Sequence, residues 1–231
     1  MVNLFKHIFI AIFVFIFPSC AYIGVPKHIK QGFTYCYYKS ETNIKKLINV
    51  EGYFVNNTQN SSSLAFMFYE DGTFLYEFFD VDEGRREKGK SNISLYFQEI
   101  IDDTTGKVST SFNKWFKWGL YIVDGDTIKT QYVNHPLSIS PNWSAWEVWY
   151  KVIDRNTIIE IYSKPIHYMT ASDWKNWEKN KKQREKTIVP SKLIPVKEKP
   201  VPDCWLKREK WFWCNKKDWR NYMDSVKTKR R

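Results

Sequence analysis

The stretch that decides the fold is WFKWGLYIVDGDTIKTQYV, residues 115–133. Apolar residues lie on both sides of Asp124-Gly125, and a short Asp-Gly sequence between apolar runs is a strong local signal for a β-hairpin. In the second half, apolar and polar residues alternate, which is the period expected of a strand with one buried face. That face would carry Ile128, Thr130 and Tyr132. The stretch therefore predicts two antiparallel strands joined by a tight turn.

The same pattern recurs on both sides of this hairpin. Further strands are predicted over residues 52–55, 64–70, 73–79, 93–101, 145–153 and 157–162. Asp71-Gly72 predicts a two-residue type I′ turn, and Asp154-Arg155-Asn156 predicts another reversal. Strands of this length, closely spaced and without helical crossovers, predict a mainly β protein. The expected architecture is an antiparallel up-and-down barrel or a sandwich, over residues 51–165.

The chain changes character after residue 165. Thr170 to Asp173 is a helix-capping sequence, so we expect a helix within 166–188. Four prolines in 189–202 predict an extended linker. Residues 174–231 contain 19 Lys and Arg and 7 Asp and Glu, a net charge of +12, whereas the rest of the chain stands at −1. We therefore expect a C-terminal helical, basic, Trp-rich appendage that ends in a tail over 203–231.

The N-terminus predicts export. Residues 8–17 form an apolar run of ten residues, which is too short to span a bilayer but suits the core of a signal peptide over 1–19. Ser19-Cys20 after this run resembles the lipobox of bacterial lipoproteins, although Phe17 and Pro18 depart from its usual pattern. The resemblance implies cleavage before Cys20 and acylation of this cysteine. Residues 20–50 are expected to be a tether followed by an entry segment to the β domain. Two alternatives stay open, a soluble secreted protein cut near Ala21 and an uncut weak anchor.

The remaining cysteines and the setting follow from export. Cys204 and Cys214 bracket a short aromatic segment, and exported proteins meet an oxidising compartment, so we predict a disulfide between these two. Cys36 is then expected to be a small buried apolar residue. Residues 21–25 lack an acidic run that would resemble a surface-export signal. We expect an outer-membrane lipoprotein that faces the periplasm.

Four segments carry a resemblance to a known family. They are Gly-Tyr-Phe at 52–54, Phe-Tyr-Glu-Asp-Gly-Thr-Phe at 68–74, Trp-Gly-Leu-Tyr-Ile-Val-Asp-Gly-Asp-Thr-Ile at 118–128, and Asp-Arg-Asn-Thr-Ile at 154–158. Together they resemble the lipocalin-like lipoproteins of Bacteroidetes and related bacteria. The resemblance implies a small β-barrel with one open mouth, and it brings no shared catalytic residues. The basic tail lies outside the usual pattern of that family.

The sequence carries no recognisable catalytic or metal-binding motif. It has no His-Glu-x-x-His, no Gly-x-Ser-x-Gly and no phosphate-binding Gly-Lys-Ser/Thr loop. His28, His135 and His167 lie far apart, so we expect no cofactor and no metal. The leading hypothesis is a non-enzymatic protein that binds a hydrophobic or aromatic ligand, or an envelope partner. An enzyme with an unrecognised site and a purely structural envelope protein are the rivals, and the histidines would support an enzyme if one met an acid in a pocket.

Two surfaces could carry the binding. The first is the barrel interior, which could equally be a packed core. Its lining is predicted to include Phe66, Phe68, Phe74, Tyr76, Trp118, Trp146, Val148 and Tyr150. The second is the basic tail, whose partners in an exported setting are anionic lipid, lipopolysaccharide or wall polymer. Export disfavours nucleic acid. Alternatively, the tail tryptophans pack on the barrel and only the charges face water.

Overall fold

The computed structural model describes residues 24–39, 42–56, 64–80, 117–134, 143–185, 188–196, 199, 202 and 204–228. Within these ranges the protein is a closed antiparallel barrel in which each strand pairs with the next and β8 closes the ring against β1. The strands are β1 Gly52–Asn56, β2 Leu64–Phe68, β3 Thr73–Asp80, β4 Lys117–Asp124, β5 Thr127–Asn134, β6 Ser144–Asp154, β7 Thr157–Pro165 and β8 Ser191–Pro195.

The mainly β, antiparallel barrel is the fold expected from the strand pattern. Seven predicted strands are present, and the deciding stretch forms β4 and β5 with a two-residue turn between Asp124 and Thr127. The predicted strand over 93–101, the signal peptide and Cys20 lie outside the described residues. The expected turn at Asp71-Gly72 is one residue wider than a type I′ turn. The Gly72 N–H donates to the Tyr69 carbonyl (3.1 Å), and Gly72 takes the left-handed conformation (φ +85°) that glycine adopts at no steric cost.

The prediction of a linker over 189–202 is wrong, because this segment contains β8. Residues 192–195 pair with β1, and Ser191 and Lys192 pair with the start of β7. Proline weakens a strand only where its missing N–H is needed in the ladder. Pro190 lies just before β8 and Pro195 is its last residue, so the residues between them are free to pair. The barrel domain therefore extends beyond 165.

The barrel wall separates two hydrophobic cores. The inner core lies inside the barrel and includes Phe54, Phe66, Phe68, Phe74, Tyr132 and Tyr150. The outer core lies on the other face of the same strands, where the two terminal segments cover it. It includes Tyr53, Met67, Leu75, Trp118, Trp205, Phe212 and Trp213.

The terminal segments are parts of this outer core rather than a free tether and a free tail. In the N-terminal segment, α1 (Lys27–Gly32) buries Ile29, and the outer core also includes Val25 and Phe33. These residues are therefore packed on the barrel and do not form a tether. In the C-terminal segment, two 3-10 helices, Trp205–Arg208 and Lys210–Phe212, lie against the wall. Here the alternative interpretation, that the tail tryptophans pack on the barrel, is confirmed.

Two longer helices lie after β7. The helix expected within 166–188 is α3 (Ala171–Glu185), and Thr170 and Asp173 form reciprocal capping bonds at its start. Nearly all of its side chains that are described face solvent. The last helix, α4 (Lys216–Thr228), has no fully buried residue. No helix among the described residues is both long and apolar enough to cross a bilayer.

The predicted Cys204–Cys214 disulfide is also wrong. Cys214 is bonded to Cys36 (S–S 2.01 Å), and the bond joins the two terminal segments over the outer wall. A parallel bridge between Tyr37 and Trp213 lies beside it. Cys204 is a free, buried thiol whose pKa burial raises to about 12, so it is held as the neutral thiol. Closeness in sequence was a poor guide because the fold brings the two terminal segments together on the outer face of the barrel.

Candidate functional site

The two ends of the barrel differ. At one end, the hairpin end, lie the turns that join β2 to β3, β4 to β5 and β6 to β7. The short helix α2 (Ile44–Leu47) closes this end, with Ile44, Ile48 and Val50 buried in the inner core. At the opposite end, the loop end, the chain connects β1 to β2, β3 to β4, β5 to β6 and β7 to β8. The first three connections lie outside the described residues, and the fourth contains α3. The helix α2 therefore restricts access to the interior from the hairpin end.

The interior near the hairpin end is filled by aromatic rings. The ring centroids of Phe68 and Phe74 are 4.9 Å apart, and those of Phe66 and Tyr150 are 5.0 Å apart. Phe54 stacks on Phe66 at 5.9 Å. These separations are those of aromatic pairs in direct contact. This half of the interior is a packed core.

The interior near the loop end is mixed in character. Tyr76 and Tyr132 form a close stacked pair with centroids 4.2 Å apart, and Trp146 packs beside them, partly exposed. Lys117 is the strand partner of Tyr76 and lies over its ring at 6.0 Å. Glu160 is the strand partner of the inward Tyr150. One cationic and one anionic side chain therefore lie beside the inward tyrosines.

Burial sets the ionisation of this cluster. It lowers the pKa of Lys117 to about 8, because removing the ammonium from water disfavours its charged form. Burial, followed by the charge of Glu160, raises the pKa of Tyr76 well above 10. Burial, followed by Tyr76 and then Glu160, does the same for Tyr150, so both phenols stay neutral. A lysine of pKa about 8 beside aromatic rings is a suitable partner for an acidic ligand group, because a nearby anion favours its charged form.

Most of the predicted lining residues do lie in the interior. These are Phe66, Phe68, Phe74, Tyr76, Trp146, Val148 and Tyr150. Phe66, Phe68, Phe74 and Tyr150 form the packed part, and the Tyr76 ring stacks against Phe66. Whether any of these residues contacts a ligand stays a prediction.

Trp118 is misplaced by the sequence interpretation, because it belongs to the outer core. Gly119 takes the inward position, paired with Phe74 on one side and Tyr132 on the other. A Cβ at Gly119 would lie 1.9 Å from the Gln131 carbonyl oxygen, so the strands approach too closely there for a larger residue. Because successive side chains of a strand point to opposite faces, Lys117, two residues before Gly119, is also an inward residue.

Three residues of the site were missed. Tyr132 had been placed on the apolar face of its strand but was not included in the lining. Lys117 was missed because its inward direction follows from that of Gly119, which only the paired strands reveal. Glu160 was hidden because the pairing of β6 with β7 shifts between Trp149 and Tyr150, which breaks simple alternation.

The described histidines do not form a catalytic group with an acid. His28 is exposed, and the His167 ring contacts the Ala145 main chain, with Nδ1 2.9 Å from the carbonyl oxygen. His135 lies outside the described residues. Within the ranges the structure describes, no group of three His, Cys, Asp or Glu side chains is placed to hold a metal ion.

Comparison with known proteins gives no further assignment. No family model matches the chain, and no curated protein or solved structure is significantly similar to it. The resemblance to lipocalin-like lipoproteins therefore stays a prediction, and the class of protein that the fold defines is a small closed β-barrel with an aromatic interior.

Proposed function

We propose that this protein is an exported, lipid-anchored envelope protein whose barrel binds an amphipathic ligand at its loop end, without catalysing a reaction. The observation that carries the proposal is the asymmetry of the interior. One end is packed with phenylalanine rings and closed by α2. Further along the interior Tyr76 and Tyr132 stack on each other, Trp146 packs beside this core partly exposed, and Lys117 lies over the Tyr76 ring. The ligand class is an apolar or aromatic body with an acidic head group.

The charge of Lys117 gives the binding a defined pH dependence. Below about pH 8 the ammonium is present and attracts an anion, and above that value the neutral amine does not. Affinity for an anionic ligand should therefore fall as the pH rises through about 8. Because a bound anion favours the charged lysine, the pKa of Lys117 should rise on binding.

A pair of naphthalene dyes tests this dependence. One probe is 1-anilinonaphthalene-8-sulfonate, whose sulfonate stays charged throughout, and the other is the uncharged N-phenyl-1-naphthylamine. Fluorescence titration should show both binding at pH 7, and only the sulfonate losing affinity between pH 7 and pH 9. Lys117→Gln should lower sulfonate affinity about tenfold and flatten its pH profile.

Matched variants on the outer face of the wall serve as controls. Trp146→Ala should weaken both probes, whereas Trp149→Ala, on the outer face of the same strand, should weaken neither. Lys129→Gln removes a lysine from the outer face of β5 and should leave the pH profile unchanged. Equal loss in the Trp146 and Trp149 variants, or a sulfonate affinity independent of pH, would contradict binding in the interior.

The disulfide supports the exported location, since such bonds persist mainly in oxidising compartments. The acyl chains expected at Cys20 would each contribute about 0.8 kcal/mol per buried CH₂. The native protein should therefore partition into detergent, and the Cys20→Ala variant expressed without its signal should stay in the aqueous phase. Equal partitioning of the two forms would remove the lipid anchor from the proposal.

Exposed basic residues are consistent with a position next to an anionic surface. The solvent-facing helix α3 carries Lys175 and Lys179, and α4 carries Lys216, Lys217 and Arg220. Such residues near an anionic lipid surface contribute about 1 kcal/mol each. Anionic lipid, lipopolysaccharide or wall polymer are the proposed contacts, and their binding should weaken with added salt.

A further inference from the structure

A second recess lies on the outside of the barrel, near the hairpin end. It has a volume of about 530 Å³, which is within the usual range for small-molecule sites. Its walls come from residues 35–38, 42 and 43 of the N-terminal segment, from the Asp71-Gly72 turn and from the last residues of β4. It is separate from the barrel interior, and the function proposed above makes no use of it.

The rim of this outer recess is apolar and exposed. Tyr38, Ile122 and Val123 are 64%, 45% and 37% exposed, and all three line the recess. Large apolar side chains gathered at one concave site mark a place where covering them would be favourable. Burying a ring or chain against them removes apolar surface from water on both sides of the contact.

The floor of the recess has a polar group with spare capacity. One oxygen of Asp71, Oδ1, accepts from the Thr73 main-chain N–H and hydroxyl, and the other, Oδ2, binds the Lys207 ammonium. Lys207 is itself buried, and its ammonium also lies over the Tyr37 ring, 4.8 Å from the ring centroid. The Asp71 side chain keeps 30% exposure, and a carboxylate can accept about four hydrogen bonds.

The Asp71 carboxylate sets the charge preference of the recess. It is the one charged side chain among the described residues that line it. Burial raises the pKa of Tyr35, and the charges of Glu147 and Asp124 raise it further. For Tyr121, burial raises the pKa most, the Thr42 hydrogen bond lowers it, and Asp71 and Glu70 raise it. For Tyr37, by contrast, the Lys207 ammonium opposes the effect of burial on the pKa. In a protein of net charge +11, a partly exposed carboxylate among aromatic rings makes this a local site for a cationic group.

We infer that the outer recess binds a cationic aromatic ligand, that is, a ring that covers Tyr38 and Ile122 and bears an ammonium group directed towards Asp71. The ring gains contacts with the tyrosine side chains, and ammonium groups are attracted to aromatic faces as well as to carboxylates. The Lys207 ammonium over Tyr37 shows the same combination of partners within the protein itself.

Three probes with one ring separate charge from apolar contact. They are 4-fluorophenethylamine, its uncharged alcohol counterpart, and 3-(4-fluorophenyl)propionate, followed by ¹⁹F NMR at pH 7 on the folded protein. We expect the amine to bind about tenfold more tightly than the propionate, with the alcohol between them. Added salt should narrow this difference. Equal affinities, a preference for the propionate, or no binding of the amine at millimolar concentration would overturn the inference.

Exposed residues supply variants that should not disturb folding. Tyr38→Ala and Ile122→Ser should each weaken the amine several-fold. Tyr168→Ala and Ile161→Ser, at 73% and 49% exposure elsewhere on the surface, are the matched controls. Trp146→Ala, in the barrel interior, should leave amine binding unchanged, so the two proposed sites can fail separately. If instead Tyr38→Ala changes the sedimentation coefficient and not amine binding, the recess is a contact between protein copies and the inference is wrong.

Discussion

The strands β2 and β6 show how differently two parts of one barrel wall can be buried. In β2 both faces are buried, with Phe66 and Phe68 inside and Ala65 and Met67 outside. In β6 the inward Val148 and Tyr150 are buried, but the outward face becomes exposed towards the hairpin end. The terminal segments cover the outer face of β2 and leave part of the outer face of β6 exposed to solvent. A strand covered on both faces must be a continuous apolar run, whereas a strand covered on one face alternates.

Removing the C-terminal segment that covers the outer face of β2 should have the largest effect on stability. Truncation after residue 203 deletes Trp205, Leu206, Phe212 and Trp213 and exposes the outer face of β2 to β4. Each buried large side chain contributes about 1.5–3 kcal/mol, so their joint loss rivals the whole stability of a domain. We expect no cooperative unfolding transition in urea.

Truncation after residue 215 is the matched control. It removes α4, which has no fully buried residue, but it keeps both 3-10 helices and the disulfide. This form should still unfold cooperatively, with a smaller loss. If the shorter form is as stable as the longer one, the outer core does not support the wall.

Removing the disulfide should have the next largest effect on stability, because this bond joins the N-terminal covering segment to the C-terminal one. Cys36 and Cys214 are 178 residues apart, and closing so long a loop restricts the unfolded chain strongly. Replacing both by serine should lower the free energy of unfolding by about 3–5 kcal/mol in the chain-entropy view. Cys204→Ala, at the free thiol, is the control and should have a smaller effect in the same urea titration.

The Asp71–Lys207 pair should give a smaller effect that depends on pH. Burial alone would raise the pKa of Asp71, but the Lys207 ammonium and the Thr73 bonds outweigh it, so its pKa is lowered. The pair therefore stabilises the fold above the ordinary aspartate pKa of about 3.9, and this stability is lost as the pH falls through the lowered value. Lys207→Met should cost about 2–4 kcal/mol at pH 7 and flatten the loss of stability in acid.

An exposed ion pair provides the comparison for that measurement. Lys129 pairs with Asp124, whose side chain is 64% exposed. Lys129→Met should cost less than about 1 kcal/mol and leave the acid dependence unchanged. Similar losses in the two variants would mean that Lys207 does not fasten the C-terminal segment to the hairpin end.

The sequence predicted the strands well because their signals are local. The turns at Asp124-Gly125 and at Asp154 and the alternation in β5 need no knowledge of distant residues. The eighth strand and the disulfide were missed for the opposite reason. Residues 191–195 form a strand only because β1 and β7 lie on either side of them, and Cys36 meets Cys214 only when both segments cover the wall. The unbroken apolar run 64–68 was the available sign that such a cover exists.

The interior site was predicted in part. Alternation placed Trp146 and Tyr150 on the inner face correctly, but aromatic character alone placed Trp118 there too. Which side chains of β4 point inward is set by the close approach of the strands at Gly119. Which side chains of β7 point inward is set by its shifted pairing with β6. Both are properties of paired strands, so neither Lys117 nor Glu160 could be assigned with certainty from one strand alone.

The ionisation of Lys117 tests the proposed function most directly. Side-chain NMR of the ¹³C, ¹⁵N-labelled protein can follow this one lysine across the pH range, free and with saturating 1-anilinonaphthalene-8-sulfonate. The structure predicts a pKa of about 8 in the free protein, caused by burial at the loop end, and a higher value with the bound anion. A free pKa near the ordinary lysine value of about 10.4, or one that the anion leaves unmoved, would contradict a ligand site at this end of the barrel.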